Sequence, residues 1–316
     1  MNAARPPLLL VGHGTRSQAG VAEFGRLIER VRRLAKGGPA AVDGGFIELS
    51  RPPVGEVVAR IRPAGNAPWE VVAVPLVLTA AGHGKGDIPA ALVREQLRHP
   101  GLSYRYGRPL GPHPVLQEVL AARIDAALAG APRAGSYVVL TGRGSTDPDA
   151  NAEVAKVARL LWEGRGYDAV ELAFISLAQP SVPAALERAH KLGARRVVVA
   201  PYFLFPGILP DRVAAQSRAF AAAHAGADVR VAGLIGDCDE LAGLVAERYE
   251  EAIRGDIRMN CDTCAYRVAM PGFAAKVGRP QTPHHHPGDP AGDGHGGHLH
   301  SHRPGAPAGT PSEVTR

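Results

Sequence analysis

The chain repeats itself, and the length of the repeat restricts what it can fold into. Leu8 to Thr15 reads LLLVGHGT, an apolar run broken by Gly12-His13-Gly14 and followed by a helical pattern to about Leu34. Tyr137 to Ser145 reads YVVLTGRGS and leads into a second helical pattern through Trp162. Val11 falls on Thr141 at an offset of 130, so Gly12-His13-Gly14 faces Gly142-Arg143-Gly144. Phe46-Ile47-Glu48-Leu49-Ser50 faces Phe174-Ile175-Ser176-Leu177-Ala178 at 128. Val74-Pro75-Leu76-Val77-Leu78 faces Ala200-Pro201-Tyr202-Phe203-Leu204 at 126. So small a drift means two copies of one unit of about 125–130 residues.

Each copy alternates short apolar runs with amphipathic stretches. In the first, strands are expected at 7–12, 43–49 and 70–78, and helices at 19–36, 53–62 and 87–98. Short strands bounded by Gly and Pro and separated by helices predict an α/β fold: two related domains, each a parallel sheet with helices on both faces. The expected divisions are 1–130, 131–257, a Cys-x-x-Cys segment at 258–273, and a tail at 274–316. The tail is rich in Pro, Gly and His and has almost no apolar periodicity. It cannot bury enough surface to offset its ordering entropy, so it is expected to be disordered.

Composition excludes several classes. No window approaches the roughly 20 apolar residues of a membrane span. Leu8-Leu9-Leu10-Val11 is too short for the apolar region of a signal peptide, which points to a cytoplasmic protein. The formal charge of +6 invites a nucleic-acid reading. Yet there is no zinc-finger spacing, no RNA-recognition signature and no basic run interleaved with aromatics. An anionic small molecule would benefit from the same charge. Three cysteines do not make a disulfide framework, so Cys261-x-x-Cys264 suggests a metal or redox role.

Ligands of open parallel sheets lie beyond the carboxyl ends of the strands. His13, Glu48 and His83 all fall there, and each histidine is flanked by glycine on both sides. Two imidazoles and a carboxylate suit a borderline divalent ion such as Co, Ni, Zn or Fe(II). Glycines without Cβ let a flat, bulky ligand approach closely. One histidine at a strand end is commonly structural; two Gly-His-Gly elements with a carboxylate between them are much less so. The second copy carries Arg143, Ser176 and Leu209 at the three matching positions, so one half alone holds the candidate ligands. A single site between unequal halves follows, with Arg143 facing an anionic group.

The segments LLLVGHGTR, FIELSRPPV, PLVLTAAGHGKGDIP and PYFLFPGIL resemble the sirohydrochlorin chelatases, the class II chelatase family, over about residues 7–255. The resemblance implies a two-domain α/β chelatase fold and insertion of a divalent metal into sirohydrochlorin. It places the metal-binding histidines on His13 and His83, and the acidic metal-site residue on Glu48. Met259-Asn260-Cys261-Asp262-Thr263-Cys264 with a histidine-rich tail resembles the long cobaltochelatase type of the cobalamin route, which is associated with an iron–sulfur centre. That moves the expected metal from iron towards cobalt.

Metal insertion needs two pyrrole protons removed and a partly desolvated metal delivered. His13 and His83 are expected to serve as ligands and proton acceptors, with Glu48 as third ligand or base. Arg16, Arg51, Lys85 and Arg143 adjoin the strand-end motifs and are candidates for binding the macrocycle's carboxylates. Phe203, Phe205 and Leu209 are candidates for an apolar wall, with a core role the stronger expectation. In the tail, His284, His285, His286, His295, His298, His300 and His302 could load metal without rigid geometry. A [4Fe–4S] cluster takes four thiolates, so Cys261 and Cys264 would complete one only across a symmetric homodimer. Iron insertion for siroheme and nickel insertion are rivals within the enzyme class. A non-catalytic metal carrier is the rival outside it.

Overall fold

A computed structural model describes residues 5–35, 38–65, 67–256, 266, 269 and 274–279. These all fall within one compact unit. Its first half runs β1 (Leu8–Gly12), α1 (Gln18–Leu34), β2 (Val42–Phe46), α2 (Val54–Ile61), β3 (Trp69–Pro75), α3 (Ile88–Arg98), β4 (Leu102–Tyr106) and α4 (Pro114–Leu128). The second repeats the series as β5 (Ser136–Gly142), α5 (Pro148–Trp162), β6 (Ala169–Phe174), α6 (Val182–Lys191), β7 (Arg196–Pro201), α7 (Ile208–Ala223), β8 (Asp228–Val231) and α8 (Asp239–Arg254). The strands form two four-stranded sheets, ordered β2-β1-β3-β4 and β6-β5-β7-β8. All pairings are parallel, as the βαβ alternation predicts.

The strands are buried on both faces, and their period of two assigns each side chain to a layer. Leu8 and Leu10 of β1, with Val138 and Leu140 of β5, enter a core shared by both sheets and filled by α1, α4, α5 and α8. Leu9 and Val11 point the other way, onto α2 and α3. Val139 and Val199 likewise face α6 and α7.

The helices α4 and α8 are exchanged between halves: α8 packs on β3 and β4, while α4 packs on β7 and β8. Matching arginines fasten the exchange. Arg248 of α8 donates to the carbonyls of Pro109 and Leu110 at 3.1 and 3.2 Å. Its counterpart Arg123 of α4 donates to Leu234 and Ile235 at 2.9 and 3.0 Å. Arg105 caps the end of α8 through Ala252 and Ile253, and Arg230 caps α4 through Ala127 and Leu128. These cations satisfy carbonyls that a helix end or loop would otherwise leave unpaired. A division at 130/131 therefore parts the sequence but not the packing, because each half lends its last helix to the other.

Candidate functional site

The two halves superpose their chemistry-bearing loops through shared backbone geometry. Beyond β1 and β2, Glu48 N–H donates to the His13 carbonyl at 3.1 Å; beyond β5 and β6, Ser176 N–H donates to Arg143 at 3.0 Å. Leu49 and Leu177 both adopt a left-handed conformation, with φ of 61° and 60°. Gly14 is needed for this arrangement. At φ of 115°, a Cβ there would lie 1.8 Å from the Glu48 carbonyl oxygen.

These loops bring His13, Glu48 and His83 together. The His13 and His83 rings lie edge to face with centroids 4.0 Å apart. His13 Nε2 is 2.7 Å from Glu48 Oε1, and its Nδ1 lies 3.2 Å from the Gly14 carbonyl. His83 opens a π-helical turn, His83–Asp87, that runs into α3. Its Nδ1 lies 2.6 Å from Asp87 Oδ2, on a carboxylate only 1% exposed. A proton on Nδ1, donated to Asp87, leaves Nε2 as the basic nitrogen, the orientation a metal-binding imidazole needs. Asp87 escaped the sequence reading, although its position four residues after His83 on a helical turn is the spacing at which side chains meet. Among the described residues, no three His, Cys, Asp or Glu side chains form a ready-made metal cage.

Burial lowers the His13 pKa to about 4, with the neighbouring His83 and Arg143 adding to the effect. His13 is therefore neutral at pH 7, with one basic ring nitrogen. Arg143 acts electrostatically on both His13 and Glu48. Its guanidinium pKa is lowered by loss of water around it, against the pull of Glu48. The Arg143 side chain is nonetheless exposed to solvent, within reach of a ligand.

The other three cations differ. Arg16 is exposed near the end of the β1–α1 loop, two residues before α1. Arg51 is 82% exposed and pairs with Glu56, beside a shallow surface pocket between α1 and α2 that does not include His13 or His83. Lys85 is not an open rim cation. Its side chain is 11% exposed, and Nζ lies 2.8 Å from Asp147 and 3.1 Å from Asp149. Burial alone would lower its pKa, but those two carboxylates outweigh it and the net shift is upward.

Phe203 and Leu209 pack against the outer core of the second half, and Phe205 against the shared core. The large apolar side chains that strand-end loops expose are instead Leu49, Leu177 and Ile208, at 47%, 52% and 60%. Periodicity gives no handle on them, because Leu49 and Leu177 stand in loops and Ile208 is the first residue of α7. Cys261, Cys264 and the seven tail histidines lie outside the described residues. Of the three cysteines, Cys238 alone is described, half-buried before α8. No helix among the described residues is long and apolar enough to cross a membrane.

The chain is 35% identical over 267 residues to the sirohydrochlorin cobaltochelatase of Priestia megaterium, covering 83% of this chain and 85% of that one. It is 29% identical over 206 residues to the sirohydrochlorin ferrochelatase of Bacillus subtilis, covering 65% and 77% respectively. The solved structure of SirB from Bacillus subtilis with Fe3+ matches with a TM-score of 0.67 at 27% identity, over 80% of this chain and 97% of that one. SirB from Bacillus subtilis subspecies spizizenii in complex with cobalt matches at 0.63 and 25%, over 79% and 96%. The CbiX family model matches twice, at residues 7–127 and 137–252, once on each half of the duplication. This chain belongs to the CbiX family.

Proposed function

We propose that this protein is a sirohydrochlorin cobaltochelatase that inserts Co(II) into sirohydrochlorin with release of two protons. The observation that carries the reading is the pair His13 and His83, rings 4.0 Å apart beyond the strand ends of one half, with Glu48 against His13. The cobaltochelatase relative, alike over most of both chains, supports cobalt over iron.

In this reading the His13 proton moves from Nε2, where it faces Glu48, to Nδ1, where it faces the Gly14 carbonyl. His13 and His83 then hold the incoming metal through their Nε2 atoms, and Glu48 is freed as third ligand or base. Neutral imidazoles are weaker donors than thiolates, so the metal can be passed on to four macrocycle nitrogens. As the pyrrole nitrogens bind, their two protons pass to the basic groups within reach, Glu48 and the imidazoles the metal is leaving. Glu48 takes one proton without creating a second cation beside the metal. Arg143, and Arg16 further out, bind peripheral carboxylates with charge-assisted hydrogen bonds. Leu49, Leu177 and Ile208 lie against the ring, replacing water on apolar surface.

We further assign Cys261 and Cys264 to an iron–sulfur cluster completed across a homodimer, and the tail histidines to metal loading, in a cytoplasmic setting. The test of the main reading is an anaerobic comparison of initial rates with Co(II), Fe(II) and Ni(II), followed by the absorbance change of sirohydrochlorin. Many turnovers, fastest with Co(II), are expected. A change limited to one equivalent of protein would make the chain a carrier, and faster turnover with Fe(II) would make it a ferrochelatase.

A further inference from the structure

The turn that carries His83 has little stiffness of its own. Gly82, Gly84 and Gly86 alternate with His83, Lys85 and Asp87, and glycine leaves the backbone free to move. What holds the turn is largely outside it. Tyr106 of the same half donates to the Gly84 carbonyl at 2.8 Å. Further anchors come from the N-cap and first turns of α5 in the other half. Lys85 Nζ reaches Asp147 and Asp149, and Ala80 N–H, just before the turn, donates to Glu153 Oε2 at 2.8 Å. Asp147 serves twice, since its second oxygen accepts from Asp149 N–H and caps α5.

All three carboxylate residues are buried, at 4%, 1% and 8% exposed. Burying such a network can cost more desolvation than it returns as stability, so it is weak evidence of a purely stabilising role. The pseudo-symmetry of the fold points to another role. At the matching place in the other half, Asp211 stands opposite Lys85, and Ser17 and Ala19 stand opposite Asp147 and Asp149. Glu23 stands opposite Glu153 but pairs with Arg26 of its own helix, and the residue opposite Ala80 is Pro206, which has no N–H to offer. There the backbones approach closely instead, with Gly20 against the Pro206 carbonyl, where a Cβ would come within 2.5 Å. Among the described residues the Lys–Asp–Asp clamp is thus present only on the side that carries His83.

We propose that Asp147, Asp149 and Glu153, acting through Lys85 and Ala80, are positioning residues for His83, so that the half without candidate ligands sets the geometry of the metal site. This rests on the reading of His83 as a metal ligand. Together with the Asp87 contact to Nδ1, the clamp fixes where the imidazole stands and how it is turned, as outer-shell partners of metal-binding histidines do.

The experiment titrates Co(II) alone into the full chain, reading its d–d absorption, and measures KM for Co(II) and sirohydrochlorin separately. Lys85→Met should weaken Co(II) binding by about 10- to 100-fold, the range for loss of an outer-shell partner, with sirohydrochlorin KM changed less than about twofold. Lys85→Arg, which can still span both carboxylates, should recover most of the affinity. Asp149→Asn should give a smaller loss in the same direction and add little to Lys85→Met, as expected within one network. The opposite split, a raised sirohydrochlorin KM with wild-type Co(II) affinity, would make Lys85 a rim cation and overturn the clamp. If Lys85→Met does not fold, unchanged Co(II) affinity in Asp149→Asn overturns it equally. Wild-type protein that binds Co(II) without turning over sirohydrochlorin would sink the chelatase reading alone. Normal turnover with clamp variants of normal affinity would sink the clamp alone.

Discussion

The His13 and His83 imidazoles stand edge to face, centroids 4.0 Å apart and planes inclined by 66°, although 70 positions of chain separate them. The His13 pKa of about 4 reflects burial first and the partner ring second. At pH 7, His13 is therefore neutral beside the second ring.

If these rings bind the metal, His13→Ala and His83→Ala should each lower the insertion rate by at least about 100-fold. Both side chains are partly exposed, so the fold should lose no more than about 1 kcal/mol. Circular dichroism and a thermal melt check the second point, and anaerobic turnover the first. Wild-type turnover in either variant would remove that histidine from the site.

Arg143→Ala should act on the macrocycle rather than on the metal. Losing a charge-assisted hydrogen bond worth about 1.5–3 kcal/mol should raise KM for sirohydrochlorin by about 10- to 100-fold. KM for Co(II) should not rise, because the lost guanidinium repels a cation. Arg51→Ala, on a residue paired with Glu56 away from the histidines, should leave both constants near wild type. An Arg143 variant with altered Co(II) KM alone would contradict the assignment.

Two buried groups predict a particular dependence of stability on pH. His13 is lowered from 6.5 to about 4, so below 6.5 the unfolded chain binds a proton that the folded one refuses. Its contribution to stability is lost as pH falls from 6.5 towards 4. Glu153 is raised from 4.5 to about 7, chiefly by burial, so the folded chain keeps a proton that the unfolded one releases. Its contribution is lost as pH rises from 4.5 to 7. Between about pH 5 and 6.5 the two slopes oppose each other. Glu153→Gln keeps an acceptor for Ala80 N–H and removes one slope, so its stability should rise across that window by about 1–2 kcal/mol relative to wild type. Urea midpoints at half-unit steps measure this, and parallel curves for the two proteins would refute the Glu153 shift.

Truncation after residue 273 should leave the rate at saturating Co(II) unchanged and slow it when Co(II) is scarce, if the tail histidines load metal. Cys261→Ser with Cys264→Ser should bleach a brown, dimeric, anaerobically purified protein while much of the chelatase activity survives. Iron-free wild-type protein from the same preparation would leave these cysteines as a dithiol, and equal rates at every Co(II) level would leave the tail without a loading role.

Sequence by itself determined the duplication, the alternation of strand and helix, and the asymmetry of the two halves. Apolar runs of five to seven residues bounded by Gly and Pro leave few alternatives to buried parallel strands, and observed strands such as Leu8–Gly12 and Trp69–Pro75 follow them within a few residues. The candidates His13, Glu48 and His83 were legible because strand ends in such sheets converge on one edge. Tertiary structure decided the rest. Nothing in the periodicity of α4 or α8 says which sheet each covers, because an apolar stripe is satisfied by either. Lys85 reads as a surface cation until α5 of the other half brings Asp147 and Asp149 to it. Asp87 reads as a helix-start carboxylate until the π-turn swings it under His83. Local sequence fixes what each segment prefers, whereas an ion pair across 62 residues exists only once the packing of two whole halves has been chosen.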